Sequence, residues 1–316
     1  MSTMRSSDKV SNTWDITTSL GATAIGVAAY RSAETVQPNA LIRDEMASIL
    51  VSAVGMPGWN RLAQADMSWQ DDDDVRGRRA MISSREFVAA RTLYFDRFCA
   101  DAVASGVLQV VIVAAGLDAR AFRLECLREC KVYEIDQPEV LKFKLATLAS
   151  RHVPPIAMVE PVGVDLREDW GSALIEHGFE YWTPTAWLIE GLLPYVPSAA
   201  QHRLIADLTA LSAPGSRLAA ETYPTATTHL SPQRMAAWRE NARKIRERLG
   251  VGVDVTTLTR HDDPIDVAEL LVDHGWRVMT TDSRDEMSRL GRPVPDDLVD
   301  AIPIAALVNA ELQPTP

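Results

Sequence analysis

Three carboxylates stand where three successive apolar runs end: Asp136 after Lys131–Ile135, Asp165 after Ile156–Val164 and Glu190 after Ala186–Ile189. Ahead of them, the run Leu108–Ala114 (LQVVIVA) ends in Ala115-Gly116-Leu117-Asp118-Ala119-Arg120, read as a strand, a glycine turn and a helix reaching Leu127. The small side chains of Ala115 and Gly116 let a ligand lie against the backbone, and a helix start offers free N–H groups. Asp136 follows Gly116 by 20 residues, the approximate spacing at which an acidic side chain accepts hydrogen bonds from ribose hydroxyls. Asp165 and the backbone amide of Leu166 can read an adenine edge, and Glu190 puts a further carboxylate at the rim of the same crevice. Singly, each of these is as readily a helix cap or a solvated loop residue. Jointly they point to a cofactor containing a nucleoside.

The turn also selects among such cofactors. A dinucleotide site uses G-x-G-x-x-G to bring a helix N-terminus against a pyrophosphate. Here Leu117 and Asp118 occupy the places of the further glycines, and a negative side chain opposes phosphate. S-adenosylmethionine has an adenosyl group, no phosphate and a positive sulfonium. Its methionyl carboxylate also suits Arg91, which shares an apolar helix face with Phe87 and Tyr94 and needs an anion once desolvated.

The elements that position these residues follow from the hydrophobic pattern. Strands are expected at Leu108–Ala114, Lys131–Ile135, Ile156–Val164, Ala186–Ile189, Ser216–Tyr223 and Trp276–Thr281, with a last one in the run Ile302–Leu312. Helices are expected at Pro138–Ser150, Ser198–Leu211 and Asp266–His274, and one starting at the capping-box signature Ser83-Ser84-Arg85-Glu86. Alternating strands and crossover helices imply an α/β fold, a seven-stranded, mostly parallel, doubly wound sheet. One domain is expected over 1–316: a helical cap (1–82), a cofactor-binding core (83–223), a helical insertion on the substrate side (224–265) and the final strands (266–316). The insertion carries an apolar helix face, Met235, Trp238, Ala242, Ile245 and Leu249, opposite a basic stripe of Arg239, Arg243, Lys244, Arg246 and Arg248 that reads most simply as solvated.

Composition narrows the partners. A formal charge of -11 argues against general attraction to nucleic acid or anionic membranes, so a small molecule is the expected partner. The mildly apolar Ile16–Tyr30 stretch reads poorly as a leader, and no run is long enough to span a membrane. Three cysteines, Cys99, Cys126 and Cys130, make no disulfide framework and fit a reducing cytoplasm. Cys126 and Cys130, read on one helix, and the run Asp71–Asp74 make poor metal sites, so no metal is expected. His177 and His274 read as helix caps, and Trp187 and Trp276 as core.

The sequence resembles the leucine carboxyl methyltransferase-like family, and within it an actinobacterial group of S-adenosylmethionine-dependent methyltransferases. The likeness runs over most of the chain. It rests on Arg43-Asp44 with the Ala-Glu-Thr segment before it, Ala89-Ala90-Arg91-Thr92, Ala114 through Leu124 (AAGLDARAFRL), Glu134-Ile135-Asp136-Gln137-Pro138, Val164-Asp165-Leu166, Glu190 through Tyr195 (EGLLPY) and Gly275-Trp276. The resemblance implies a class I, Rossmann-like methyltransferase fold. It implies that Arg91 holds the methionyl carboxylate, that Gly116 lines the methionyl moiety and that Asp136 binds the ribose. Asp165 and Leu166 would bind the adenine, with Glu190 near the methionyl amine. Asp118 and Arg120 are expected to brace the turn through a local ion pair. The expected reaction is O-methylation of a carboxylate, which needs no base, or of a hydroxyl, for which Glu190, Tyr195 or a histidine would be candidates. No residue is assigned as catalytic. The alternatives are a nicotinamide-dependent oxidoreductase, disfavoured by the missing glycines, and a non-catalytic adenosyl-binding or interaction module.

Overall fold

In the computed structural model, which describes residues 19–66, 68, 74–223, 240, 243, 247, 249, 250, 265–299 and 304–314, the apolar runs pair into a sheet of order β3-β2-β1-β4-β5-β7-β6. Its strands are β1 (Gln109–Val113), β2 (Lys131–Asp136), β3 (Met158–Gly163), β4 (Thr185–Ile189), β5 (Arg217–Thr222), β6 (Trp276–Asp282) and β7 (Ala306–Leu312). β1 to β5 are parallel, and β7 lies antiparallel between β5 and β6. The central strands β1 and β4 are buried at every position, so their sequences are nearly unbroken apolar runs.

Alternation along β1 divides the core into two layers. Val110 and Ile112 face one way, against α1 (Ser19–Thr35), α2 (Glu45–Val54), α3 (Pro57–Ala63) and α4 (Val75–Ala104). Val111 and Val113 face the other. They pack with Leu174 of α7 (Trp170–Glu176), Ile205 and Leu208 of α8 (Ser198–Ala210), and Leu271 of α9 (Val267–Asp273). α5 (Arg120–Arg123) and α6 (Pro138–Ser150) lie on the crossovers from β1 to β3, and α10 (Ser283–Arg289) joins β6 to β7. The strand order reverses between β1 and β4, so the crevice beyond their carboxyl ends is the natural ligand position.

Several sequence expectations need correction. No helix starts at Ser83: α4 begins at Val75, with the Asp74 carboxylate capping the Gly77 amide at 2.9 Å, and Ser83 and Glu86 are interior to it. Glu86 pairs with Arg292 and Ser84 donates back to the Ala80 carbonyl, while Ser83, the serine three residues before Glu86, is buried with its hydroxyl unpartnered among the described residues. The helix after Gly116 does not reach Leu127. It stops after one turn, where Leu124 turns extended, and Glu125–Leu127 form a separate 3-10 turn. Cys126 and Cys130 therefore share no helix, Cys130 lying just before β2. The final strand begins at Ala306, and α10 has no counterpart among the sequence expectations.

Other expectations match. His177 and His274 end α7 and α9, each Nδ1 within 2.9 Å of the carbonyl four residues back. Trp187 and Trp276 are buried, their indole N–H groups donating to Ser212 and Thr209. Of the insertion helix, Met235, Trp238, Ala242 and Ile245 lie outside the described residues, as do Arg239, Lys244, Arg246 and Arg248 of the basic stripe. Arg243 is described and pairs with Glu240 and Glu247. Residues 71–73 and Ile302 are likewise outside the described residues.

One buried ion pair ties the sheet to the glycine turn. Lys144 of α6 and Glu134 of β2 are fully buried and 2.9 Å apart, and Lys144 Nζ donates to the Asp118 carbonyl at 3.0 Å. Breaking such a pair leaves an uncompensated buried charge. Lys144→Met should cost about 3–5 kcal/mol, whereas Glu134→Leu combined with Lys144→Met should recover most of it. Urea denaturation of the two variants checks this.

Candidate cofactor and active site

The turn after β1 is drawn tight by its own backbone. Ala114 and Gly116 take positive φ values of 55° and 49°, and the Asp118 amide donates to the Ala115 carbonyl at 2.8 Å. Glycine meets that requirement at Gly116 without a steric penalty, while Ala114 bears one of about 1–3 kcal/mol. A Cβ on Gly116 would lie 3.3 Å from the Ala24 methyl, because α1 crosses over the turn. Arg31 of α1 fastens that crossing, donating to the Leu117 carbonyl at 2.6 Å and pairing with Asp44 at 2.8 Å. Ala115 and Leu117 are buried beneath.

Asp136, at the end of β2, accepts from the Gly116 amide at 2.7 Å through Oδ2 and from the Gln137 amide at 2.7 Å through Oδ1. Each oxygen keeps one lone pair, enough for a vicinal diol. Burial pushes its pKa up, against the two amides and Lys144. Asp165 follows β3, and Arg167 grips its carboxylate through Nε at 2.9 Å and Nη2 at 2.6 Å, which lowers its pKa. Leu166 is half-buried against the second core layer.

Glu190 follows β4 and bridges two arginines, with Oε1 2.9 Å from Arg91 Nε and Oε2 2.8 Å from Arg120 Nη2. Arg91 also donates through Nη1 to Glu221 of β5 at 2.8 Å. Arg120 pairs with Asp118, as expected of a brace, and with Asp96 of α4 at 2.8 Å. Arg123 joins the same Asp96 at 2.7 Å. The structure thus brings Gly116 to Asp136 directly, and Arg91 to Glu190. Asp165 stands apart from these contacts but is close enough to add to the upward push on Asp136.

Sequence reasoning missed Glu221 and Asp96. Glu221 carries a visible signal: like the other three carboxylates, it stands near the carboxyl end of an apolar strand. Asp96 carries none, since its importance comes from where α4 lies. Among the described residues, the anions paired with Arg91 are the partly buried Glu190 and the buried Glu221. A guanidinium has five N–H groups, more than these two contacts use.

These residues fit S-adenosylmethionine better than a dinucleotide. Glu221 Oε1 is buried and accepts nothing among the described residues, so the cluster has an unused acceptor. Asp118 and Asp136 flank the turn with negative charge, and the one-turn helix α5 offers a pyrophosphate little dipole.

The strand order with a reversed β7, and the carboxylate-lined crevice, define a class I methyltransferase fold. A profile of the family described as leucine carboxyl methyltransferase matches residues 24–209, and the chain belongs to that family. It is 50% identical over 305 residues to a "Putative S-adenosyl-L-methionine-dependent methyltransferase" of Mycobacterium avium (strain 104), covering 95% of this chain and 93% of that one. A protein of the same description from Mycobacterium bovis (strain BCG / Pasteur 1173P2) is 49% identical over 314 residues, covering 99% and 98%. The structure of an O-methyltransferase family protein from Burkholderia thailandensis is more distant, with 14% identity, a TM-score of 0.47 and coverage of 86% and 73%. The chain is an S-adenosylmethionine-dependent methyltransferase. No helix among the described residues is long and apolar enough to cross a membrane.

Burial raises the pKa values of Asp136, Glu134 and Glu221. A raised carboxylate contributes stability that is present at acid pH and is lost as pH rises through the folded pKa. The urea midpoint of the free protein should therefore fall as pH rises from the usual carboxylate range, about 4, through the raised pKa values of these three groups. Asp118 acts in the opposite sense: burial pushes it up, but Arg120, Arg31 and Lys144 outweigh that and hold it low. Its contribution is lost only below the usual carboxylate range. A midpoint that rises steadily as pH rises above the usual carboxylate range would contradict this account.

Proposed function

We propose that this chain transfers the methyl group of S-adenosylmethionine to an oxygen of a small molecule or a terminal carboxyl group, with a carboxylate as the preferred acceptor. Asp136 seated on the Gly116 amide, at the carboxyl ends of β2 and β1, carries the cofactor part of this reading. In it, Arg91 receives the methionyl carboxylate, Ala115 and Gly116 line the methionyl chain, and Asp136 takes the ribose hydroxyls. Asp165 and Leu166 meet the adenine, and Glu190 lies by the methionyl amine.

The bound cofactor supplies an electrophilic methyl group on a sulfonium. The chain's own residues then have to orient the donor and exclude water. The state of the available bases favours a carboxylate acceptor. Glu190 is committed to two arginines, and burial raises the pKa of Tyr195. Of the described histidines, His152, His177 and His202 are exposed and His274 caps a helix. An acceptor already ionised needs no base. A cytoplasmic location is supported by three free cysteines.

Incubation with methyl-labelled S-adenosylmethionine and a metabolite extract should label a low-mass product that mild alkali converts to labelled methanol, the signature of a methyl ester. Alkali-stable label would overturn the carboxylate assignment. Asp136→Ala should weaken S-adenosylmethionine binding by roughly 10- to 100-fold in calorimetry while the circular dichroism stays that of a folded protein. Unchanged affinity would remove Asp136 from the site.

A further inference from the structure

Glu221 lies buried near the end of β5, its side chain 1% exposed. Its Oε2 accepts from Arg91 Nη1 at 2.8 Å and from the Gly191 amide at 3.0 Å, while Oε1 is buried without a partner among the described residues. Gly191 suits this turn by its positive φ of 66°, while a Cβ there would lie in ordinary contact, 3.9 Å, with both Arg91 and Glu221. Arg91 is shared with Glu190, so one guanidinium serves two carboxylates.

Among the described residues the connected cluster is short of positive charge: Arg31, Arg91, Arg120 and Arg123 face Asp44, Asp96, Asp118, Glu190 and Glu221, leaving one carboxylate in excess. Asp136 adds another at the same crevice, while Lys144 is matched by Glu134. A desolvated, undercompensated carboxylate favours a cation beside it, and a bound cation draws out the ionised form.

We propose that Glu221 is a positioning and specificity-determining residue, which holds Arg91 in place and supplies the excess negative charge that makes the site prefer the cationic methyl donor to its neutral demethylated product. This rests on the cofactor reading above. S-adenosylmethionine carries a sulfonium, an ammonium and a carboxylate, and is a net cation. S-adenosylhomocysteine lacks the sulfonium charge and is neutral. The two share their other groups, so contacts common to both cancel in the ratio of their affinities.

Calorimetric affinities for both ligands test this in wild type, Glu221→Gln and Glu221→Asp. Glu221→Gln should shift the ratio toward S-adenosylhomocysteine by several-fold, because one negative charge that attracts the sulfonium is lost while the contacts common to both ligands remain. Glu221→Asp should keep the wild-type ratio. A merely structural role would weaken both ligands alike and leave the ratio unchanged, which overturns the proposal. Should Glu221→Gln not fold, Arg91→Gln with Glu221→Gln removes a cation and an anion together. That double variant should bind both ligands more weakly at the wild-type ratio, and a collapsed ratio overturns the proposal. If wild type binds neither ligand, the cofactor reading itself fails; if it binds both and Glu221→Gln leaves the ratio unmoved, only this inference does.

Discussion

Glu190 joins Arg91 to Arg120, and much of the site depends on that bridge. Through Arg120 it reaches Asp118 on the glycine turn and Asp96 on α4; through Arg91 it reaches Glu221 on β5. One continuous set of buried charges therefore joins the ends of β1, β4 and β5 to the long helix across them. Buried ion pairs of this kind are weak evidence for net stability, because desolvation offsets much of their attraction. Their geometric demand is strict, since each charge left unpaired is costly. The crevice is held in one arrangement for that reason.

A second, smaller device works from beneath. Lys144 and Glu134 neutralise each other in the core, and Lys144 also holds the carbonyl of Asp118. α1 presses from above, with Ala24 over Gly116 and Arg31 on the Leu117 carbonyl. From the side, Asp136 holds the Gly116 amide. The glycine turn is thus fixed from three directions, which is how Ala114 is kept at a positive φ that alanine rarely adopts.

Much of the site is legible in the sequence. Asp136, Asp165 and Glu190 stand out because a parallel sheet aligns strand ends, and strand ends can be read from where apolar runs stop. Glu221 obeys the same rule but sits within SRLAAETY, where the strand continues past it to Thr222. The start of α4 is hidden because a capping box is a local signature, and the helix that contains Ser83 and Glu86 already starts at Val75, where Asp74 caps it. The shortness of α5 is hidden because Arg120 and Arg123 are held by Asp96, 24 and 27 residues away.

What the sequence by itself determined is the parallel α/β architecture and the row of carboxylates at its strand ends, since both follow from periodicity and apolar burial along single segments. What the tertiary structure alone decided is the partnership of those charges. Arg91 is matched by Glu190 and by Glu221, the latter 130 residues further on, and no local pattern encodes a pairing over such a distance. Burial imposes it, because a desolvated guanidinium must find its anions wherever the fold brings them.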